Sequence, residues 1–200
     1  RSSISMMNLS YGAWGQDAEF KQQGLFGEMT HLLSPAQRIV GGYRADFWKA
    51  TDMRASIKQG MAPAVANPTQ NQTRKETLHS GFGRYEQDLS TSPVTLYVGF
   101  GHSERFPDYW EMIAKESVTS VSAFDIKPEK TNQLDVGVIY KSGPAKVSVS
   151  TFYNKLNDFI LVDYTLGGAV KKSTGAARNI DATSYGAEVG FDYVLNSHWK

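Results

Sequence analysis

Hydrophobic and polar positions alternate with a period of two along most of this chain, and the alternating runs are joined in turn by short and long polar links. Residues 20–33 carry Leu25, Phe26, Met29 and Leu32 among polar neighbours. Ser34-Pro35-Ala36-Gln37 follows as a short turn in which the proline presets one backbone angle. Over residues 38–51, Tyr43, Ala45 and Phe47 fall on one face of an extended strand, and Arg44, Asp46 and Trp48 on the other. A long link, 52–73, contains Gly60, Pro63 and Pro68. The cycle then repeats: a run at 77–88, a short turn at 89–93, a return at Val94–Arg105 and a long link at 107–127. A third cycle has a run at 131–141, the turn Ser142-Gly143-Pro144, a return at 145–164 and a Gly- and Lys-containing loop at 165–178. A last run, 184–195, sets Ala187, Val189, Phe191 and Tyr193 against Gly186, Glu188 and Asp192. With a less regular run at 3–11, the pattern predicts about eight strands.

Strict alternation of short and long links has a physical meaning. A transmembrane β-barrel has short turns on one side of the membrane and long loops on the other, and its strands present one face to lipid and one to the lumen. Charged Arg44, Asp46, Asp135 and Glu188 belong to the lumenal face, and Tyr43, Phe47, Trp48, Tyr97, Tyr140, Tyr164 and Tyr193 are candidates for the aromatic girdles at the interfaces. A soluble antiparallel sandwich also alternates, but its long links seldom fall on one side only.

Composition narrows the choice. The chain is 40% hydrophobic and 12% aromatic, yet no stretch approaches the roughly 18 apolar residues of a membrane helix. A net charge of +1, with both signs interspersed, lacks the basic stripe of a nucleic-acid partner. There is no cysteine, which removes disulfides and thiolate metal sites. The first residues, Arg1-Ser2-Ser3-Ile4-Ser5-Met6, have no signal-peptide pattern. Both ends are expected to be cuts in a longer chain.

Specific segments resemble a known family. Leu96-Tyr97-Val98-Gly99-Phe100-Gly101-His102-Ser103-Glu104-Arg105-Phe106-Pro107 is similar to a strand leading into an outer loop of TonB-dependent outer-membrane receptors. The runs 126–137, 150–160 and 184–189 resemble the strands that follow. Arg105-Phe106-Pro107-Asp108-Tyr109-Trp110-Glu111 resembles the branch associated with copper uptake. The resemblance implies an all-β antiparallel transmembrane barrel of about 22 strands, of which residues 1–200 are a partial barrel domain lacking the plug and terminal strands. It further implies a location in the Gram-negative outer membrane and energisation by the TonB complex through the missing plug. Expected partners are outer-membrane lipid, lipopolysaccharide and a metal ion or chelate. Copper is the expected transported ligand, and no bound cofactor is expected.

Copper favours thioether and imidazole donors. In the copper branch the resemblance implies a Met- and His-based site, with a His-x-Met pair and a plug cysteine; neither occurs here. The nearest echo, Met29-Thr30-His31, puts both donors on one strand face close to a short turn, where a lipid-facing role is the plainer reading. Met53, Met61 and Met112 fall in or beside outer loops, where exposed thioethers could make transient contacts with incoming copper or simply fill gaps between loops. His102, with His79 on the neighbouring strand, is a weak fourth candidate at the lumen or girdle. Lys171 and Lys172 with Arg178 offer loop charge for lipopolysaccharide phosphates, or for solvent.

No enzyme is predicted. Asp108 and Glu111 are loop acids three apart, more simply solvated or paired with Arg105, and no Gly-x-Ser-x-Gly elbow occurs. Gly99-Phe100-Gly101 lacks the third glycine and the helix of a phosphate loop. The expected function is therefore TonB-dependent copper uptake. Its rivals are an iron-siderophore receptor and a small outer-membrane barrel or adhesin that transports nothing.

Overall fold

The computed structural model describes residues 16–58, 63–169 and 175–195. It contains β1 (Ala18–Ser34), β2 (Gln37–Asp52), β3 (Ser56–Ile57), β4 (Val65–Ala66), β5 (Thr73–Asp88), β6 (Val94–Arg105), a one-turn helix α1 (Tyr109–Met112), β7 (Glu129–Ser142), β8 (Ala145–Asp163) and β9 (Ala176–Tyr193). Seven strands form one antiparallel sheet in the order β1-β2-β5-β6-β7-β8-β9, and β3 pairs only with β4 inside the first long loop. Each main strand lies beside its neighbour in sequence, as an up-and-down meander requires. The strand predicted at 3–11 lies outside the described residues.

The register shows why the sequence alternates. Phe100, Leu134, Tyr153 and Tyr185 are directly opposite one another across four strands. Below them run Val98, Val136, Thr151 and Ala187, then Leu96, Val138, Val149 and Val189, then Val94, Tyr140, Val147 and Phe191. These rows form an apolar band on one face, open to the surroundings: Val136 is 49% exposed and Tyr185 80%. A soluble protein would cover such a face, whereas a barrel wall shows it to lipid. On β2 the same face carries Ile39, Tyr43 and Phe47. The membrane-spanning part of the wall ends toward the long loops at Phe47, Phe100, Leu134, Tyr153 and Tyr185.

The opposite, lumenal face carries the charged and amide side chains, with Phe26, Leu32 and Phe82 among them. Arg44 pairs with Asp46 at 2.5 Å, Gln22 donates to Asp46 at 3.1 Å, and Arg38 pairs with both Glu86 and Asp88. The Arg84 guanidinium lies 3.8 Å from the Tyr97 ring centroid, a cation–π stack. The Tyr97 ring in turn covers Gly137, its direct cross-strand partner, so closely that any Cβ at Gly137 would collide with it. This is an aromatic filling the gap a strand glycine leaves. At the short β7–β8 turn, Gly143 has φ +54°, a conformation unfavourable for residues with a Cβ, and lets Pro144 follow in a tight reversal.

Several expectations need correcting. Trp48 and Tyr97 belong to the lumenal face, not the girdles, and Tyr164 lies in the third long loop. β5 starts at Thr73 and β9 at Ala176, both earlier than the alternation indicates. Arg178 consequently sits in a strand, where it pairs with Asp163 at 2.8 Å. The second long loop contains a helical turn, α1.

The outward face carries a direct prediction. In the full-length protein folded into lipid vesicles, Val136→Arg should lower stability by about 2–4 kcal/mol, and Val136→Ile should leave it nearly unchanged. Urea unfolding would measure both. An arginine tolerated without cost at 136 would mean that this face does not meet hydrocarbon.

Candidate functional site

The strands run on past the apolar band, and at their far end the long loops fold inward over the lumenal face. Among the described residues the main buried core is built by loop L2 (106–128) on the strand ends, and the described parts of loops L1 (53–72) and L3 (164–175) are tied to L2 by hydrogen bonds. Trp48 and Ala50 of β2, Leu78 of β5, Ile160 of β8 and Ala177 of β9 form its floor, and Phe106, Met112, Ile113, Phe124 and Ile126 of L2 pack onto it. Phe106 stacks on Trp48, and Phe20 meets the Trp48 ring edge-on at 5.7 Å between centroids. L2 is also held by its backbone: the Arg74 guanidinium donates to the carbonyls of Phe124 and Ile126 at 2.6 and 2.8 Å.

Asp52 ties L1 to L2. Its carboxylate is fully buried, five residues beyond the membrane-spanning part of β2. It receives the Arg54 fork at 2.9 and 2.7 Å, the Arg54 amide at 3.1 Å, Asn67 Nδ2 at 2.9 Å and Thr69 Oγ1 at 2.7 Å. The same guanidinium reaches the Ile113 carbonyl, and Thr69 Oγ1 lies 2.8 Å from Ser122 Oγ, so the network crosses from L1 into L2. Burial alone would raise the Asp52 pKa. The hydrogen bonds from Arg54, Asn67 and Thr69 outweigh it and hold the carboxyl below the usual carboxylate range. L3 joins L2 through a backbone bond from Ala169 N to Ser117 O at 3.2 Å, and β9 joins it just beyond, from Ala177 N to Glu116 O at 2.9 Å. At its start, Asp163 accepts from the Thr165 hydroxyl and amide at 2.6 and 2.8 Å and from Arg178, and these contacts draw its pKa down to about 2.

α1 is capped by its own acids. Asp108 accepts from the Glu111 amide at 2.8 Å, and Glu111 accepts from the Asp108 amide at 2.9 Å, a reciprocal capping box. Glu111 also takes the Arg105 fork at 2.9 and 3.0 Å. The two carboxylates are thus committed to local structure and to Arg105, which leaves no paired acid–base couple. Beneath the cap a groove of about 400 Å³ is lined in part by Phe20, Asp46, Trp48, Leu78 and Phe106. A second, shallower hollow of about 460 Å³ includes Phe26, Arg44, Ser80, Phe82, Ser103 and Gln133.

The structure separates the proposed metal-contact residues. Met53 is 41% exposed at the start of L1, whereas Met112 is fully buried in the loop core rather than open to incoming ions. Met61 lies outside the described residues, as do Lys171 and Lys172. Met29 and His31 share the outward face, near the short turn. His102 points outward too, 2.8 Å from Asn132 Oδ1, and His79 Nδ1 lies 2.5 Å from the Tyr43 hydroxyl. Both histidines therefore belong to the interface rather than the lumen. No group of three or more His, Cys, Asp or Glu comes together among the described residues to hold a metal ion. The residues that sequence reasoning missed are those of the Asp52 network, whose members are too far apart in the chain for any spacing rule to join them.

Comparison with known proteins bears on the whole arrangement. Residues 3–200 match the family model for the TonB-dependent receptor-like β-barrel. Among solved structures, the chain is similar to the copper transporter OprC, with 43% identity and a TM-score of 0.83, over 98% of this chain and 31% of OprC. It is also similar to the ferric-catecholate import receptor Fiu from K12 E. coli, at 14% identity and a TM-score of 0.65, over 90% of this chain and 26% of Fiu. The FrpB iron transporter from Neisseria meningitidis gives 14% identity and 0.61, over 90% and 24%. The last two likenesses bear on fold alone. A search of curated proteins gave no match. The chain spans about a third or less of the length of each of these three structures.

The buried ion pair predicts how the cap responds to pH and mutation. Asp52→Asn leaves Arg54 buried without its charge partner, and should weaken the cap by about 3–5 kcal/mol. Hydrogen exchange on the full-length receptor would show faster exchange in L1 and L2 with the barrel strands unchanged. Because the folded pKa is depressed, this stabilisation is complete above about pH 3.9, the unfolded value. It is lost as pH falls further, through the folded value. Cap protection should accordingly hold from neutrality to about pH 4 and decline only below it.

Proposed function

The chain belongs to the TonB-dependent receptor β-barrel family, and from that premise we propose that it is part of the wall of an outer-membrane receptor that takes up copper. The observation carrying this reading is the 43% identity to the copper transporter OprC, which extends over 98% of the chain. The matched stretch takes in both the strands and the loops, whereas the iron receptors, at 14% identity, are similar at the level of fold. The rest of the receptor supplies a plug, the closing strands and the contact with the TonB complex.

In this reading the segment's work is mechanical. The β1–β9 sheet is a section of wall whose ladder satisfies the backbone in lipid. The cap of L1, L2 and L3 narrows the outer mouth and exposes Met53 on its rim. A thioether there suits a soft cation passing inward. Met112, buried beneath the rim, packs the cap, and His102 serves the interface. Catalysis has no role: this is passage, not bond-making chemistry.

Deleting the receptor gene should lower cell-associated copper in copper-limited medium, and restoring the full-length protein should return it. Collapsing the proton gradient that energises TonB should abolish the receptor-dependent part. Inductively coupled plasma mass spectrometry would read copper and iron in the same samples. A receptor-dependent change in iron supplied as a siderophore chelate, with copper unaffected, would contradict the copper assignment.

A further inference from the structure

We infer that the outward face of β1, β2 and β5 binds the phosphate groups of lipopolysaccharide, through a lateral row of Lys21, Lys49 and Lys75. The inference goes beyond the transport reading and rests only on the chain's placement in an outer membrane. Lys21 is directly opposite Lys49, and Lys49 directly opposite Lys75. All three share the face of Tyr43 and Phe47. With neighbouring strands about 4.8 Å apart, three ammonium-bearing stems stand within roughly 10 Å along the sheet.

Such a row is unfavourable if left alone, because like charges directly opposite on neighbouring strands destabilise the pairing. Little in the chain offsets it. Glu19 pairs with Lys21 at 2.8 Å. Lys49 and Lys75 have no carboxylate within ion-pair distance among the described residues, and Glu76, next to Lys75 in sequence, faces the lumen beside Arg74. Farther along the same face Lys130 meets Glu104 at 3.2 Å, and Lys155, with no carboxylate within ion-pair distance among the described residues, stands between Asn132 and Thr183 rather than beside another base. The lysine row therefore presents an excess of positive charge that calls for an anion from outside.

Position and neighbours identify that anion. Lys49 occupies the next outward position beyond Phe47, the last large apolar side chain on this face of β2. The ammonium groups thus lie just above the hydrocarbon, at headgroup level, on the outside of the barrel and away from the path through its lumen. Glu19, Thr51 and Thr73 lie side by side on the outer side of the row, the two threonine hydroxyls 2.9 Å apart and the Glu19 carboxylate held by Lys21. Gln23 and Thr77 flank it on the side of the membrane, opposite Phe47. With Glu19 engaged by Lys21, the compact ammonium groups of Lys49 and Lys75, flanked by hydroxyl and amide donors, suit phosphate oxygens. At the outer end of this wall, the phosphate carrier at headgroup level is the phosphorylated glycolipid of the outer leaflet.

The test uses the full-length receptor in detergent with bisphosphorylated lipopolysaccharide, the same glycolipid after enzymatic dephosphorylation, and inorganic phosphate as a competitor. Retained heat-modifiable mobility on gels shows that each variant is folded. Replacing Lys21, Lys49 and Lys75 together by Gln should weaken binding of the bisphosphorylated form by roughly tenfold or more, and replacing them by Arg should preserve it. Dephosphorylated glycolipid should bind wild type as weakly as the Gln variant binds the intact lipid. Millimolar inorganic phosphate should fail to displace the lipid. Equal binding by wild type and a folded Gln variant would overturn the proposal, as would equal binding of the dephosphorylated form. Full displacement by inorganic phosphate would also overturn it, by assigning the row to free anions. Should the triple Gln variant not fold, the Lys49→Gln, Lys75→Gln double variant and the dephosphorylation comparison on wild type decide the matter. Copper does not enter any of these measurements, so their outcome is independent of the transport reading.

Discussion

Hydrocarbon offers a backbone amide no partner, so a chain that crosses it in strands must close each N–H and C=O on a neighbour. The sheet here meets that requirement by the simplest connectivity available, each long strand beside the next in sequence. Once the ladder is fixed, side chains have only two destinations, and a shift of one residue would exchange them. The rows from Phe100 to Tyr185 and from Val94 to Phe191 face lipid because their partners Asp135, Gly137 and Glu188 face the lumen. The outer edges of β1 and β9 have no strand beside them among the described residues. In lipid such edges are untenable, which is consistent with a chain spanning 31% of OprC.

Beyond the band the constraint changes. Water is available above the headgroups, and the loops organise by ordinary burial and charge pairing. The Trp48–Phe106 stack seats L2, the Asp52 network ties L1 to it, and the Ala169–Ser117 backbone bond adds L3. A buried carboxylate with a fork of guanidinium donors is an expensive device, and its use here fits a mouth whose loops must hold a particular arrangement. The same strand, β2, contributes Phe47 to the lipid face, Trp48 to the loop core and Lys49 to the outward face beyond Phe47 within three consecutive residues.

How much of this the sequence disclosed follows from where water is. Within the hydrocarbon span, period-two alternation is compulsory, and the faces of 43–47, 94–100, 134–140 and 187–193 are legible from it. Outside that span the signal fades: Thr73 to Glu76 are polar and Ala176 to Thr183, Ile180 apart, are polar or small on both faces, so β5 and β9 begin earlier than alternation suggests. Trp48 illustrates a related limit. Its parity placed it with Arg44 and Asp46, but an aromatic near a strand end is equally suggestive of a girdle, and only the packing of L2 decides. Met112 has no strand parity at all, and its burial depends on a helical turn that no periodicity announces. The Asp52 network joins positions 52, 54, 67, 69 and 122 through tertiary folding alone. The membership of the family, by contrast, was legible in the segments around Arg105 and residues 126–137, since they carry strand, loop entry and return strand together.

The central claim is that this chain is barrel wall with a fixed lipid face and a fixed lumenal face. Its most direct test is a cysteine scan of β7 from 133 to 138 in the full-length receptor, with a spin label at each position in lipid vesicles. This segment has no native cysteine to interfere. The account predicts that labels at 134, 136 and 138 collide with dissolved oxygen and are shielded from a water-soluble relaxation agent, and that labels at 133, 135 and 137 show the opposite preference. A profile without period two, or one with the two sets exchanged, would contradict it.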